Sequence, residues 1–358
     1  MDYKEYISQK LNELNLGELE EIMQSTDTPF SDITGRTLID NFISGKALFD
    51  SDYMINSLKD LLLFEIKSGL ILAVQIVAVC IFIGLLRSLS SSFGEKAVSS
   101  IGIMVCSFFV IALCMKNFTY TYDLCADTIG TMTYTMQILL PILIPLLISM
   151  GGLTSGSVLN PLMAASITAF NTILLKVMLP MIFISTIFFL INGMTEKSYV
   201  KTLASFLRSA AAVATGLCAT IFSGLTLIQG FVAKSADGLL VNTARFSLSN
   251  FVPIVGGFAA DSVDMVLSCM AIIKNGIGIL GILVICSLLI MPVIKLLAIG
   301  VIYKFTAIVT EPIGAKSISG CLNEMGNATI TLVVILVLTS MMFLIFISVL
   351  IGIGGAAR

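Results

Sequence analysis

The chain has 358 residues, of which 57% are hydrophobic and 12% charged, with a mean hydropathy of +1.03 and a formal net charge of −2. A soluble domain carries about 25% charged residues, so this composition excludes an ordinary soluble protein or a disordered chain. A pI near 5.3 excludes a basic nucleic-acid footprint. With no His, the chain has no His-based triad, HExxH zinc site or haem axial histidine, and with no Trp the membrane interface falls to Tyr and Phe.

Residues 1–67 hold six basic and thirteen acidic side chains and read as an acidic, helical, extramembrane region. Leu16, Leu19, Ile22 and Met23 recur at helical spacing, and Thr26-Asp27-Thr28-Pro29 and Ser44-Gly45 read as turns. From Asp52 a helix is expected to run without interruption into the first span. Met1 is followed by Asp2, Lys4 and Glu5 with no apolar stretch, so no secretory signal is predicted.

Residues 68–358 form the transmembrane domain. A crossing helix needs about 20 apolar residues, and a charge at mid-bilayer costs about 3 kcal/mol on insertion scales. Stretches free of Asp, Glu, Lys and Arg therefore mark spans near 69–86, 98–115, 130–150, 158–175, 177–195, 209–233, 275–294 and 328–354. The class is an all-α polytopic membrane protein with seven or eight transmembrane helices. The span at 130–150 carries Pro141 and Pro145, which predict a kink. A Gly/Ser turn with Gly151, Gly152 and Gly156 follows it as a candidate hinge. The stretch 158–195, interrupted only by Lys176 and Pro180, reads either as two short helices or as one long kinked one. Residues 234–274 read as irregular, amphipathic or re-entrant, with Pro253, Gly256 and Gly257 as further candidate hinges. With eight spans, the loops on one side hold Arg87, Lys96, Lys197, Lys201, Arg208, Lys295, Lys304 and Lys316. Lys116, Lys176, Lys234, Arg245 and Lys274 fall on the other. The first side is then cytoplasmic and both termini lie outside.

Ionisable groups near membrane depth are the first functional candidates. At about 100° per residue, Asp261, Asp264, Ser268 and Asn275 share one narrow stripe of a helix, and Lys274 falls off that stripe. That stripe either lines a polar path or meets another polar helix, and Asp261 can equally serve as an N-cap. Asp237 and Arg245, eight residues apart, share a helical face and read as interfacial or as bundle ion-pair partners. Gly276, Gly278 and Gly281, and Gly352, Gly354 and Gly355, suit close helix packing. The eight cysteines lack CxxC spacing and read as small packing residues, so neither metal nor disulfide is expected. Tyr122-Asp123 hints at an intramembrane aspartyl protease, but its GxGD partner motif is missing and Tyr122 is placed in a loop. No Walker A motif is present. The expectation is a non-enzyme with no cofactor.

The run Ser235-Ala236-Asp237-Gly238-Leu239-Leu240, then Thr243-Ala244-Arg245-Phe246, Asn250-Phe251-Val252-Pro253-Ile254-Val255-Gly256-Gly257-Phe258 and Asp261-Ser262-Val263-Asp264 resembles the stage III sporulation protein AE family, as does Lys274-Asn275-Gly276-Ile277-Gly278. The resemblance implies a membrane component of a secretion-like channel between mother cell and forespore in an endospore-forming bacterium. Its implied place is the mother-cell membrane around the forespore. It also implies partners: other membrane proteins of the same operon, a forespore membrane protein and a separate ATPase subunit. Family members often begin with a cleavable signal peptide, from which this sequence departs, although an external N-terminus agrees with the loop charges. The resemblance carries no catalytic residue. An autonomous secondary transporter and a non-transporting scaffold are the competing expectations.

Overall fold

Eight helices and one π turn make up a computed structural model that describes residues 17–25, 51–93, 96–150, 153–194, 200–251, 256–313 and 316–353. They are α1 (Gly17–Gln24), α2 (Ser51–Phe93), α3 (Lys96–Ser149), α4 (Leu153–Ile173), the π turn Leu174–Met178, α5 (Leu179–Met194), α6 (Lys201–Phe251), α7 (Gly256–Thr310) and α8 (Lys316–Gly352). No strand occurs among the described residues. Helix α2 does run unbroken from the charged segment into the first apolar stretch, as expected.

Among the described residues, six helical stretches are long and apolar enough to cross a membrane: Lys59–Leu86, Ile101–Ser149, Pro161–Gly193, Lys201–Ser235, Ser268–Thr310 and Ser317–Gly352. Seven or eight were expected, with two of these continuous stretches counted as pairs of spans. The spans at 98–115 and 130–150 are one helix, α3, because Lys116, Asp123 and Asp127 interrupt the apolar run without breaking the helix. Charge marks where a chain becomes polar, not where it turns. Tyr122 and Asp123 are accordingly helical, not in a loop. With 54 residues, α3 is about 80 Å long at 1.5 Å per residue, against a hydrocarbon core of about 30 Å.

The spans at 158–175 and 177–195 are likewise joined, through the π turn. Pro180 has no N–H to donate, and its ring crowds the carbonyl four residues back, which is that of Lys176. The local shift to five-residue bonding, with Leu179 N–H donating to the Leu174 carbonyl, accommodates this without a loop. Gly156 lies within α4 and is therefore not a loop hinge, and Gly256 and Gly257 open α7. Gly151, Gly152 and Pro253 lie outside the described residues. The stretch 234–274, expected to be irregular, amphipathic or re-entrant, is helical up to Phe251 and again from Gly256, so it is not irregular there.

Merging two pairs of spans leaves an even number, so both ends of the helical domain stay on one side. Gly84 meets Ile313, Leu86 meets Gly102, and Gly193 meets Ser317 and Cys321. The α2–α3, α5–α6 and α7–α8 connections therefore gather at one end of the bundle, called here the near end. The close of α8 lies at the far end beside the first half of α7, where Gly278 meets Ile351.

The antiparallel pair α7–α8 forms the most extensive interface. A Cβ added to Gly326 would lie 3.1 Å from the Gly300 carbonyl oxygen, so the two backbones touch where they cross. A Cβ at Gly281 would lie 2.7 Å from Leu139 Cδ1 on α3. The glycines expected to serve packing at 278 and 281 do so, whereas Gly352 has open space beside it. The common core runs through Phe118, Met132, Met136, Leu139, Tyr303, Leu332, Phe343 and Phe346, all at most 1% exposed. Cys80, Cys114, Cys125, Cys269 and Cys321 are buried within this packing. Outward faces are apolar as well: Val213, Leu217, Ile221, Ile228 and Phe231 on α6 are all more than half exposed, which suits a lipid solvent. Buried threonines return their hydroxyls to the carbonyl one turn earlier, as Thr133 does to Ile129, Thr215 to Ala211 and Thr339 to Ile335, so these three hydroxyls need no water. Helix α1 lies against α3 and α7, with Leu19 and Met23 fully buried and Tyr134 donating to Glu18 at 3.3 Å. The acidic region, read as extramembrane, thus has a helix docked on the bundle.

Close approach at the α7–α8 crossing predicts that Gly326→Val separates the two backbones, at a cost of about 1–3 kcal/mol. Gly216→Ala in α6, where nothing lies within 4 Å, is expected to be neutral or stabilising by up to about 1 kcal/mol. Thermal unfolding of the two variants in one detergent distinguishes these effects, and equal midpoints would contradict them.

Candidate functional site

Lys274 is the buried cation of the far end. It is 1% exposed, and its Nζ donates to the Ile351 carbonyl at 2.8 Å, to the Leu350 carbonyl at 3.5 Å and to the Ile353 carbonyl. The last carbonyls of a helix have no partner within it and carry its negative dipole end. Lys274 answers both needs for α8: it supplies the missing donors and a positive charge at the negative pole. The residue that sequence offered for a polar path or a helix interface is an interhelical cap.

Two ion pairs link other helices. Arg208 of α6 donates through Nη1 to Glu324 Oε2 of α8 at 2.6 Å and through Nη2 to the Glu324 carbonyl at 3.3 Å. Its guanidinium carbon stands 4.3 Å above the centre of the Phe189 ring of α5, so three helices meet on one side chain. Lys295 of α7 lies 3.4 Å from Glu65 of α2 and 5.6 Å from the centre of the Tyr120 ring of α3. Nearby, Asn117 Nδ2 donates to the hydroxyl of the fully buried Tyr303 at 2.9 Å, and that hydroxyl donates to the Cys114 carbonyl at 3.4 Å. Near the near end, Ser185 donates to the Ala204 carbonyl at 2.6 Å and Ser319 to the Ala307 carbonyl at 2.8 Å. The ion pairs and the Asn117–Tyr303 bond join elements distant in sequence, whereas the two serine bonds join consecutive helices.

Of the stripe predicted from sequence, Ser268 and Asn275 are half-buried on α7. Asp237 and Arg245 lie on the α6 backbone and Asp261 and Asp264 on that of α7, but their side chains are outside the described residues. Lys176 is exposed in the π turn. Among the described residues no group of three or more His, Cys, Asp or Glu is placed to hold a metal. Sequence reasoning missed Arg208, Glu324, Lys295 and Glu65 as partners. A signal was present. Arg208 precedes the charge-free run 209–233, Glu324 precedes 325–357, Lys295 follows 275–294 and Glu65 precedes 68–86. Each lies at or near the edge of an apolar run, and the structure sets these edges against one another.

Long apolar helices held by buried caps and interhelical ion pairs define an all-α polytopic membrane protein. The chain belongs to the stage III sporulation protein AE family, whose model matches residues 33–354. It is 30% identical over 313 residues to stage III sporulation protein AE of Bacillus subtilis (strain 168), an alignment covering 87% of this chain and 78% of that protein. No solved structure matches.

Lys274→Met would leave carbonyls of the last turn of α8 without donors, at about 1–3 kcal/mol for a buried unsatisfied group. Amide exchange of Leu350–Ile353 is expected to accelerate, with Lys274→Arg retaining most protection. Unchanged exchange in Lys274→Met would contradict the cap. For the second tie, Arg208→Met alone should destabilise more than Arg208→Met with Glu324→Met, because the single change leaves the half-buried Glu324 carboxylate without its partner. A double-mutant cycle read by thermal unfolding checks the sign.

Proposed function

We propose that this protein is an integral membrane component of the secretion-like channel complex that links mother cell and forespore and sustains late forespore development. Family membership across residues 33–354 is the observation that carries this reading, and the six apolar helices support it. In this reading the protein sits in the mother-cell membrane around the forespore, with its N-terminal region on the non-cytoplasmic side. The near end of the bundle, where Lys201 and Lys316 lie, then faces the cytoplasm, in accord with the positive-inside rule. Other membrane proteins of the same operon and a forespore membrane protein are its partners. A separate ATPase subunit supplies energy, and this chain carries no catalytic site or cofactor.

A scaffold that assembles the complex without lining its path is the second reading. The specific observation in its favour is Lys274, a membrane-depth cation committed to closing α8.

Deleting the gene in its spore-forming host and following sporulation by microscopy tests the family-based role. Forespores that complete engulfment, then collapse and fail to start late transcription, are the expected result, and normal sporulation would overturn it. Asp261→Asn combined with Asp264→Asn separates the two readings. A path-lining stripe predicts normal assembly with lost function, whereas a scaffold predicts normal function as well.

A further inference from the structure

The Arg208–Glu324 pair forms one wall of a pocket of about 360 Å³ at the near end of the bundle. Two cations line it, Lys201 and Arg208, against a single carboxylate, Glu324, so the pocket keeps a positive charge after the ion pair is counted. Lys201, Ser205 and Ser209 follow one another at four-residue intervals on α6, which places the ammonium and both hydroxyls along one face of the helix. Asn327 adds a side-chain amide from α8. Arg208 Nε is buried and has no hydrogen-bond acceptor. Among the described residues Lys201 has no ion-pair partner.

The pocket continues along α6 into an adjoining cavity of about 490 Å³, to which Thr202 and the exposed ring of Phe206 contribute. Lys201 begins the apolar helix, and eight residues at 1.5 Å each put Ser209 about 12 Å further along it. The polar lining thus extends from the start of the span to Ser209, with the rings of Phe189 and Phe206 as its apolar part. Pockets of about 300–1,000 Å³ hold small ligands. A guanidinium, an ammonium and a set of neutral donors suit the oxygens of a phosphate group.

We propose that this pocket is a binding site for a phosphate-bearing anion, held between Lys201 and Arg208 with Ser205, Ser209 and Asn327 as donors. A phospholipid headgroup and a free phosphate compound share that chemistry. Either ligand bridges α6 to α8 beside the Arg208–Glu324 tie, so its occupancy reinforces that contact.

The test uses the full chain, purified in detergent and stripped of lipid. It is titrated separately with dihexanoyl phosphatidylglycerol, dihexanoyl phosphatidylcholine and inorganic phosphate. Lys201→Gln removes the unpaired charge, and Ser209→Phe fills the pocket without changing charge. Both positions are exposed on α6, so the folded helical spectrum and elution volume should be retained. The expected result is at least tenfold tighter binding of phosphatidylglycerol than phosphatidylcholine, weakened about tenfold in either variant. If inorganic phosphate binds as tightly as phosphatidylglycerol and both variants lose it, the site stands and its ligand is the free anion. Equal binding of all three probes by the parent and both variants would overturn the proposal.

Discussion

Two helices in a bilayer gain little by burying hydrocarbon against each other, because lipid is as apolar as leucine. What holds this bundle must therefore come from closeness and from polar groups with nowhere else to go. Closeness is greatest between α7 and α8, where Gly300 and Gly326 let backbone meet backbone. The other helices arrange themselves around that pair: α3 lays Leu139 on Gly281, α2 lays Gly69 on Ile302, and α6 brings Gly230 against Val349. Each contact sets a missing side chain on one helix against a large one on its neighbour.

Polar ties add specificity that shape alone does not give. Carbonyls at the end of α8 have no water to turn to, and Lys274 reaches them from another helix. Arg208 needs a carboxylate and an aromatic face, and it finds one on α8 and the other on α5. These groups are costly in an apolar medium unless paired. A mispaired bundle would strand them, so they select one arrangement of helices among many of similar packing.

Much of this was legible in the sequence. The charge-free runs located every apolar helix, and the continuous entry into α2 followed from the helical segment beginning near Asp52. The number of helices was not legible, because Lys116, Asp123 and Asp127 break hydropathy while remaining helical. Pro180 read as a possible break, yet a π turn absorbs it. Lys274 stood out in the sequence only as an ionisable group near membrane depth. Its partners are backbone carbonyls of α8, which no pattern of side chains announces. The ion pairs were hidden for a related reason: a residue at the edge of an apolar run looks like a loop charge until the fold sets two such edges face to face.

The length of α3 carries one more consequence. Its first half packs on α2 around Gly102, and its second half on α7 and α8 around Cys125 and Leu139. No loop separates the two halves, so they are geared together. A single inserted residue between them would turn one half by about 100° against the other, taking every contact of that half out of phase. Seven inserted residues come within about 20° of a whole number of turns, at the expense of a shift along the axis. The middle of α3 is thus a fixed-length shaft, and variation in length between relatives belongs at its ends.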